Sequence, residues 1–336
     1  MKHRRSTKLC QSLAAALALC VTAPALSLSA QEAQPAPAPA QPAEAKVATP
    51  AKPTEAKVTP PAARVKLLSA GAAPRRVLQY AFRAGETAKA QIDMTASVGM
   101  KSGGQEMPAV TMPTIRYLIA LGPIKKTAGG FLVPWHAASV KVTGDANPEA
   151  AKAIEPVLGY LRKMKGTYVM RPNGEVGATT LDLPADAPAQ LSSQAQGFQS
   201  NLGQLTSQFP AEPIGVGAKW QVATDVPADE VTMHQTVTYE LKTLTKKGGT
   251  LDVQIEQTAD PKTITRGDAT TKLNSYSGKG KGSLDVLFGA PVAHFDGTIV
   301  TEMSLEMSQG GKTQAIDTHS AMQMKMKPMG SAKAAK

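Results

Sequence analysis

Long stretches of the chain alternate apolar and polar residues with a period of two, and this pattern restricts the possible folds most. One stretch places apolar residues at every second position, namely Ala88, Ala90, Ile92, Met94, Ala96, Val98 and Met100. Side chains of a strand point alternately to its two faces, so this spacing predicts half-buried β-strands. Gly-Gly pairs at residues 248–249 and 310–311 predict turns between strands. We therefore expect a mainly β (α+β) fold, built as a large curved antiparallel sheet or a partial barrel.

Two amphipathic stretches with helical spacing interrupt the alternation. The first begins with Asn147, Pro148 and Glu149, which suit an N-cap, a first-turn proline and a first-turn acid, and predicts a helix near residues 148–165. The second predicts a helix near residues 187–209, where apolar residues recur every three or four positions among Gln and Ser. These residues are Leu191, Ala195, Phe198, Leu202, Leu205 and Phe209. Because a narrow apolar stripe needs a packing partner, we expect both helices on one face of the sheet.

Three details of the strands are also predicted. Apolar residues alternate through residues 78–82 before a Gly-containing turn, which predicts a first strand paired with the one at residues 88–100. Pro134 lies within an apolar run and predicts a sheet edge or a bulge, since proline has no N–H to donate. The motif Gly-x-Gly-x-Gly at residues 278–282 predicts a flexible or bulged start of a strand.

The two ends of the chain have compositions that differ from the middle. Residues 1–30 combine a basic start, an apolar run and small residues near Ala30, which is typical of a secretory signal peptide. Residues 31–63 are rich in Pro and Ala and predict a disordered tether, and residues 329–336 predict a disordered basic tail. Residues 64–328 remain as a single β-rich domain. We expect an exported protein, periplasmic or extracellular, without a transmembrane span in its mature form.

A lipid-anchored form is the weaker alternative, because Leu19 before Cys20 is bulky where a lipoprotein signal has a small residue. Both cysteines, Cys10 and Cys20, lie in the predicted signal peptide. The mature chain therefore has no thiol, which excludes disulfides, structural thiolate zinc sites and cysteine nucleophiles. The net charge of the chain is +11, the surplus basic residues outside the predicted signal peptide are scattered, and aromatic residues make up only 4% of the chain. This composition argues against a nucleic-acid partner.

The sequence contains no catalytic or metal-binding motif that its context supports. Asp317, Thr318, His319 and Ser320 are residue types used by hydrolases, but neighbours on a strand point to opposite faces. The glycines at residues 278–282 precede a strand-like segment, whereas a phosphate-binding loop precedes a helix. The histidines have no His or carboxylate at ligand spacing in the sequence. We therefore predict no enzymatic activity, no cofactor and no metal.

Methionine is unusually frequent, with fourteen in the chain, and most fall on the apolar phase of a predicted strand. Three explanations remain open, namely core filling, a pliable cavity for an apolar ligand, and Cu(I) binding by thioethers. Copper has the least support, since paired His and Cys are lacking. The candidate ligand-contacting residues are Met233, Met303, Met307, Met322, Met324, Met326 and Trp220.

Residues 210–222 form the transition between the second predicted helix and the second series of strands. Two prolines stop the helix, and Gly215 and Gly217 allow a sharp turn before Trp220. We expect Trp220 to close a core, with a place in a ligand cleft as the alternative. The Gly-x-Gly-x-x-Trp element, residues 78–82 before Gly85, and residues 239–241 together resemble an uncharacterised family of exported bacterial proteins carrying a domain of unknown function. The resemblance implies export and a β-rich fold, and it implies no activity and no site residues.

Two functions follow as expectations. The first is non-enzymatic binding of an apolar molecule such as a lipid in the cell envelope, between the sheet and its helices. The alternative is a structural or interaction module that the tether presents to another envelope protein. In that case the contact would involve an exposed strand edge, as suggested by Pro134, or the Lys-rich turns.

Overall fold

The computed structural model describes residues 56–58, 62–144, 148–182, 184, 207–228 and 230–330. Within these residues there are sixteen strands and one helix, α1 (Pro148–Leu161). The strands are β1 (Ala56–Val58), β2 (Arg64–Ser69), β3 (Ala88–Ser102), β4 (Gln105–Thr111), β5 (Thr114–Leu121), β6 (Lys125–Thr127), β7 (Gly130–Thr143), β8 (Lys165–Met170), β9 (Val176–Asp182), β10 (Lys219–Ala228), β11 (Val231–Leu244), β12 (Gly248–Ala259), β13 (Lys262–Arg266), β14 (Ala269–Leu287), β15 (His294–Gln309) and β16 (Lys312–Met329).

All sixteen strands belong to one sheet, and every pairing is antiparallel. The order is β1-β9-β8-β7-β5-β3-β16-β15-β14-β12-β11-β10-β2, while β4, β6 and β13 pair with β3, β7 and β14. The sheet is open and ends at β1 and β2, so the predicted mainly β fold with one large antiparallel sheet is confirmed. The central pairing joins β3 to β16, which are separated by most of the chain.

The two ends of the open sheet are linked by a short piece of chain. β1 pairs with β9 at one end and β2 pairs with β10 at the other, yet only residues 59–63 separate β1 from β2. A connection of this length spans about 20 Å at most. The sheet therefore curls, so that Val58 of β1 and Arg64 of β2 lie within this distance of each other. β1 lies within the predicted tether, so part of that tether belongs to the sheet.

α1 begins and ends within the first predicted helix and lies on one face of the sheet. Ile154, Leu158 and Leu161 are buried, and the helix packs against β7. The Arg162 side chain follows the helix and donates from Nε to the carbonyl of Val140 at 2.8 Å. Only this one helix occurs among the described residues, where two were predicted.

The second predicted helix, at residues 187–209, falls mostly on residues 185–206, outside the described part of the chain. Its predicted last residues are described and are not helical. Ser207 and Phe209 are buried in an irregular segment, and the Phe209 N–H donates to the carbonyl of Asn173 at 2.8 Å.

In the predicted strand at residues 78–82, Leu78, Tyr80 and Phe82 are buried and Gln79 and Ala81 are exposed. Its predicted pairing with β3 is wrong. The N–H of Tyr80 donates to Pro172 and that of Ala81 donates to Phe288, both at 2.7 Å. This segment therefore runs between the β8–β9 turn and the β14–β15 turn, and it does not join the sheet. β3 already has β5 on one side and β16 on the other, so it leaves no edge free there.

Pro134 is not at a sheet edge, because β7 lies between β8 and other strands on its opposite side. It faces Thr167 of β8, and on the other side the neighbour of β7 changes from β6 to β5 next to it. Pro134, which has no N–H to donate, therefore lies between the part of β7 that pairs with β6 and the part that pairs with β5. The Pro134 carbonyl still accepts a bond from Gly122 at 2.7 Å.

The prediction of a bulge at residues 278–282 is also wrong, since these residues pair in regular register with both β12 and β15. The bulge in β14 lies instead between Leu273 and Ser275. A Cβ on Gly280 would lie 2.9 Å from the carbonyl oxygen of Thr298, and one on Gly282 would lie 2.8 Å from that of Asp296. The glycines thus permit the close approach of β15.

The main core is crossed by a series of aromatic rings that we call the aromatic chain, formed by Phe131, Phe82, Tyr80, Phe209, Trp220 and Tyr239. Successive ring centroids are separated by 4.9, 5.7, 5.3, 6.2 and 5.4 Å. The chain begins on β7, crosses two irregular segments and ends on β11. It therefore fastens the two halves of the curled sheet to each other.

Candidate functional site

The inner face of β3 and β16, the side that carries the main core, has a patch of half-buried, mainly apolar side chains, which we call the Met face. The patch is made of Met94, Ala96, Val98 and Met100 on β3 and Thr318, Ser320, Met322 and Met324 on β16. The register places Met94 opposite Met324 and Ala96 opposite Met322. Alternate residues of a strand share a face, so the whole set lies on one side of the sheet.

The Met face lies between two closed hydrophobic clusters on the same side of the sheet. Further along the same strands, Ile92 and Met326 are buried in the main core. On the neighbouring β15, Met303 and Leu305 belong to a second cluster, with Val226, Met233, Leu273 and Tyr276. The partial exposure of the Met face is therefore local, and it occurs on central strands that have partners on both sides.

A row of polar and small residues crosses the inner face next to these clusters, and we call it the polar row. Its members pair directly from strand to strand, in the order Thr224, Gln235, Gln257, Gly278, Thr301 and Ser320. Ser320 is also part of the Met face, so the polar row runs into it. The rows on either side are mainly apolar, which makes this row a polar band across a hydrophobic surface.

Hydrogen bonds hold the polar row together. Gln257 donates from Nε2 to Gln235 Oε1 at 2.6 Å, and the Tyr276 hydroxyl donates to Gln257 Oε1 at 3.0 Å. The hydroxyls of Thr301 and Ser320 share a bond of 2.5 Å. Both glutamines are buried, and buried amides are costly unless they find partners.

Gly278 makes room for the amide in the middle of the row. A Cβ at this position would lie 2.8 Å from Gln257 Oε1 and 3.1 Å from the Cβ of Gln257. A larger residue would therefore displace the Gln257 side chain from its two partners. The absence of a side chain at Gly278 is thus part of how the polar row is built.

The structure divides the six predicted ligand-contacting methionines into a half-buried group and a buried group. Met322 and Met324 lie in the Met face, and Met307 is half-buried farther along β15. Met233 and Met303 are buried in the second cluster, and Met326 is buried in the main core. Only the first group therefore has surface for a ligand. Met94 and Met100 complete the patch and were not among the predicted contacts.

Trp220 lies at the centre of the aromatic chain and has no exposed surface. Its Nε1–H donates to the carbonyl of Gln208 at 2.8 Å, and its ring stacks on that of Tyr239. Full burial with a satisfied N–H favours the structural role over contact with a ligand.

The outer face carries a charge cluster beside the edge strand β2, formed by Arg64, Asp225, His234 and Asp260. Asp225 accepts from Arg64 Nη1 at 2.9 Å and pairs with His234 Nδ1 at 2.8 Å, while His234 Nε2 lies 3.5 Å from Asp260. The bond to Asp225 raises the pKa of His234 above its ordinary value. The pKa of Asp225 is lowered, first by Arg64 and then by His234.

Three histidines looked isolated in the sequence because cross-strand register, and not sequence spacing, brings them to carboxylates, and these are His234, His294 and His319. His294 lies 3.8 Å from Asp285 and His319 lies 3.9 Å from Glu302, in both cases on the opposite strand. In the part of the chain that the structure describes, no group of three or more His, Cys, Asp or Glu residues is arranged to hold a metal ion.

The charge cluster makes a testable prediction about pH. Because pairing raises the folded-state pKa of His234, the protonated ring stabilises the fold fully below its unfolded pKa of about 6.5. That contribution is lost as pH rises through the folded-state pKa. We expect His234→Gln to lower the melting temperature at pH 5.5 and to have less effect at pH 9. Thermal unfolding across this range measures it, with His136→Gln, at an exposed position of β7, as the control. A difference between wild type and His234→Gln that is constant with pH would contradict the pairing.

Comparison with known proteins identifies one family. Residues 187–286 match the sequence profile of DUF6263, a family of unknown function, so the predicted resemblance to a domain of unknown function is confirmed. A comparison with curated proteins gives no match.

Among solved structures, the chain is similar to the crystal structure of an outer membrane channel from Pseudomonas putida F1. The two share 10% sequence identity over 74% of this chain and 97% of that chain, and the TM-score is 0.20, too low to indicate a shared fold.

No helix in the described part of the chain has the length and hydropathy needed to cross a bilayer.

Proposed function

We propose that this chain, part of which matches a family of unknown function, is an exported cell-envelope protein that binds an apolar molecule such as a lipid without catalysing a reaction. The observation that carries the proposal is the Met face, where half-buried methionines line central strands between two closed clusters. Methionine side chains are flexible and polarisable, so they adapt to ligands of different shape. The predicted signal peptide supports a location where the protein would meet envelope lipids.

The dimensions of the Met face suit a long, narrow ligand. From Met94 to Met100 the strand advances about 20 Å, since each residue of a strand adds about 3.4 Å. An extended acyl chain lying along β3 and β16 would cover this length. Each square ångström of apolar surface that it removes from water contributes about 25 cal/mol, so a ligand covering much of the patch gains several kcal/mol.

A double variant and a control variant test whether the Met face is the binding surface. We expect the double variant Met94→Gln and Met324→Gln to weaken binding of a fluorescent acyl lipid by roughly tenfold or more, because two polar amides replace facing apolar side chains. Met329→Gln is the control, since Met329 is exposed on the same strand but on the opposite face. Fluorescence titration gives the dissociation constants, and thermal unfolding checks that both variants fold.

Two results would overturn the proposal. One is a native protein that takes up no acyl lipid and carries none in native mass spectrometry after purification from its own envelope. The other is equal weakening by the Met face variant and by Met329→Gln. A loss of binding confined to the Met face variant supports it.

The alternative function, an interaction module, is favoured by a different surface. Leu68, Val77 and Val216 are exposed near the edge strand β2. Backbone bonds from Ala72 to Val216 and from Arg76 to Ile214 hold these segments together. Exposed apolar side chains on joined segments suit contact with another envelope protein. If the protein purified from the envelope carries a stoichiometric protein partner and no lipid, this alternative is the better one.

A further inference from the structure

We propose, on the basis of the lipid-binding function above, that the ligand is a neutral acyl ester or amide whose carbonyl oxygen lies at Thr301 and Ser320. In this arrangement the acyl chain runs from the polar row along the Met face towards Met324 and the main core. The proposal rests on the hydrogen-bonding capacity of the polar row, on its position and on the charges around it.

One hydroxyl hydrogen at the end of the polar row is not used within the Thr301–Ser320 pair. Thr301 and Ser320 each carry one hydroxyl hydrogen, and their mutual bond of 2.5 Å uses only one of the two. Both residues are half-buried. A ligand that displaces water from this pair is therefore matched when it accepts the remaining hydrogen.

The surroundings of the row select a neutral acceptor. Near the row, only uncharged residues occupy the inner face of β10, β11, β12, β14, β15, β16 and β3. The lysines and carboxylates of these strands lie on the outer face. A carboxylate or phosphate placed here would lose its hydration without gaining a cationic partner. A carbonyl of an ester or amide avoids that loss and still accepts the available O–H.

The position of the row fixes which part of the ligand lies where. Ser320 is four residues from Met324 along β16, which is about 13 Å. In the other direction Thr318 and Met100 continue the Met face. An acyl chain leaving a carbonyl at Ser320 can therefore follow Met322 and Met324, and the polar headgroup extends the opposite way.

Two probes that differ only at the carbonyl test this assignment. A monoacylglycerol carries an ester carbonyl, and an alkylglycerol ether of the same chain length replaces that carbonyl with a methylene. We expect the wild-type protein to bind the ester about five- to tenfold more tightly, as one additional hydrogen bond allows. The double variant Thr301→Val and Ser320→Ala should bind both probes with equal affinity, at the level of the wild-type protein with the ether.

Control variants separate a hydrogen bond from a change in packing. Thr301→Ser with Ser320→Thr keeps both hydroxyls and should retain the preference for the ester. Thr298→Val lies on the outer face of β15 and should also retain it. Melting temperatures of all variants identify any that misfold.

Each outcome has a distinct meaning. If the wild-type protein binds neither probe, the proposed function itself fails. If it binds both with equal affinity, lipid binding stands and the assignment of the carbonyl to Thr301 and Ser320 is wrong. Loss of the preference in Thr298→Val would also overturn the assignment. A preference that disappears only when both hydroxyls are removed supports it.

Discussion

Replacing Trp220 with alanine is expected to lower the free energy of unfolding by about 3–5 kcal/mol. The ring is fully buried in the aromatic chain, with its centroid 5.4 Å from that of Tyr239 and 6.2 Å from that of Phe209. Truncation leaves a cavity where the two halves of the sheet meet, and it leaves the Gln208 carbonyl without its donor. Denaturant unfolding of the purified variant measures the loss.

The consequence in the cell should be low abundance. Typical domains are stable by about 5–15 kcal/mol, so a loss of this size leaves a substantial unfolded fraction open to proteolysis. Val216→Ala is the matched control, because Val216 is exposed and four residues away. Trp220→Phe keeps most of the ring and should be milder. If Trp220→Ala instead keeps its melting temperature and loses lipid, the tryptophan is a binding residue and its structural role is wrong.

The alternation in the sequence predicts the inner and outer faces of the strands well. Met322 and Met324 were predicted to share an apolar face, and they do, because the period of two needs only local sequence. The partner of that face was not predictable in the same way. β3 pairs with β16 across more than two hundred residues, and nothing local in either strand specifies that register. Met94 and Met100 were therefore missed as members of the Met face.

An alternating apolar pattern also has two structural causes that the sequence alone does not distinguish. In residues 78–82 it reflects an extended segment that buries Leu78, Tyr80 and Phe82 in the main core and exposes Gln79 and Ala81, and that is not a strand of the sheet. A half-buried segment bonded to two turns has the same apolar pattern as a half-buried strand. The burial of its apolar residues was predictable, whereas its hydrogen-bond partners were not.

The polar row did leave a signal in the sequence. Gln235 and Gln257 interrupt runs of apolar residues on the inner phase of β11 and β12. Polar residues at core positions indicate either an error of phase or a satisfied buried network. Only the strand register shows that the two glutamines, Thr301 and Ser320 fall in one row, so the sequence could suggest a polar core position but not a continuous band.

Gly215 and Gly217 precede Trp220, and substitutions at these two positions should destabilise the protein for different reasons. A Cβ on Gly215 would lie 1.9 Å from the carbonyl oxygen of Ala72, and backbone bonds fasten both segments. Gly217 has no atom within 4 Å of a Cβ, but its φ of +81° is unfavourable for other residues. We expect Gly215→Ala to destabilise by about 3 kcal/mol, as a clash that cannot relax does. Gly217→Ala should destabilise by about 1–2 kcal/mol.

Asparagine distinguishes the two causes, because it tolerates a left-handed backbone better than other residues but has a Cβ like any of them. Gly217→Asn should therefore be more stable than Gly217→Ala, and Gly217→Val should be the least stable of the three, since a β-branched residue fits that conformation poorly. Gly215→Asn should be at least as destabilised as Gly215→Ala. Urea unfolding of the five variants gives the order. If Gly215→Asn is more stable than Gly215→Ala, the close approach does not explain the glycine at position 215. If Gly217→Asn is no more stable than Gly217→Ala, the backbone conformation does not explain the glycine at position 217.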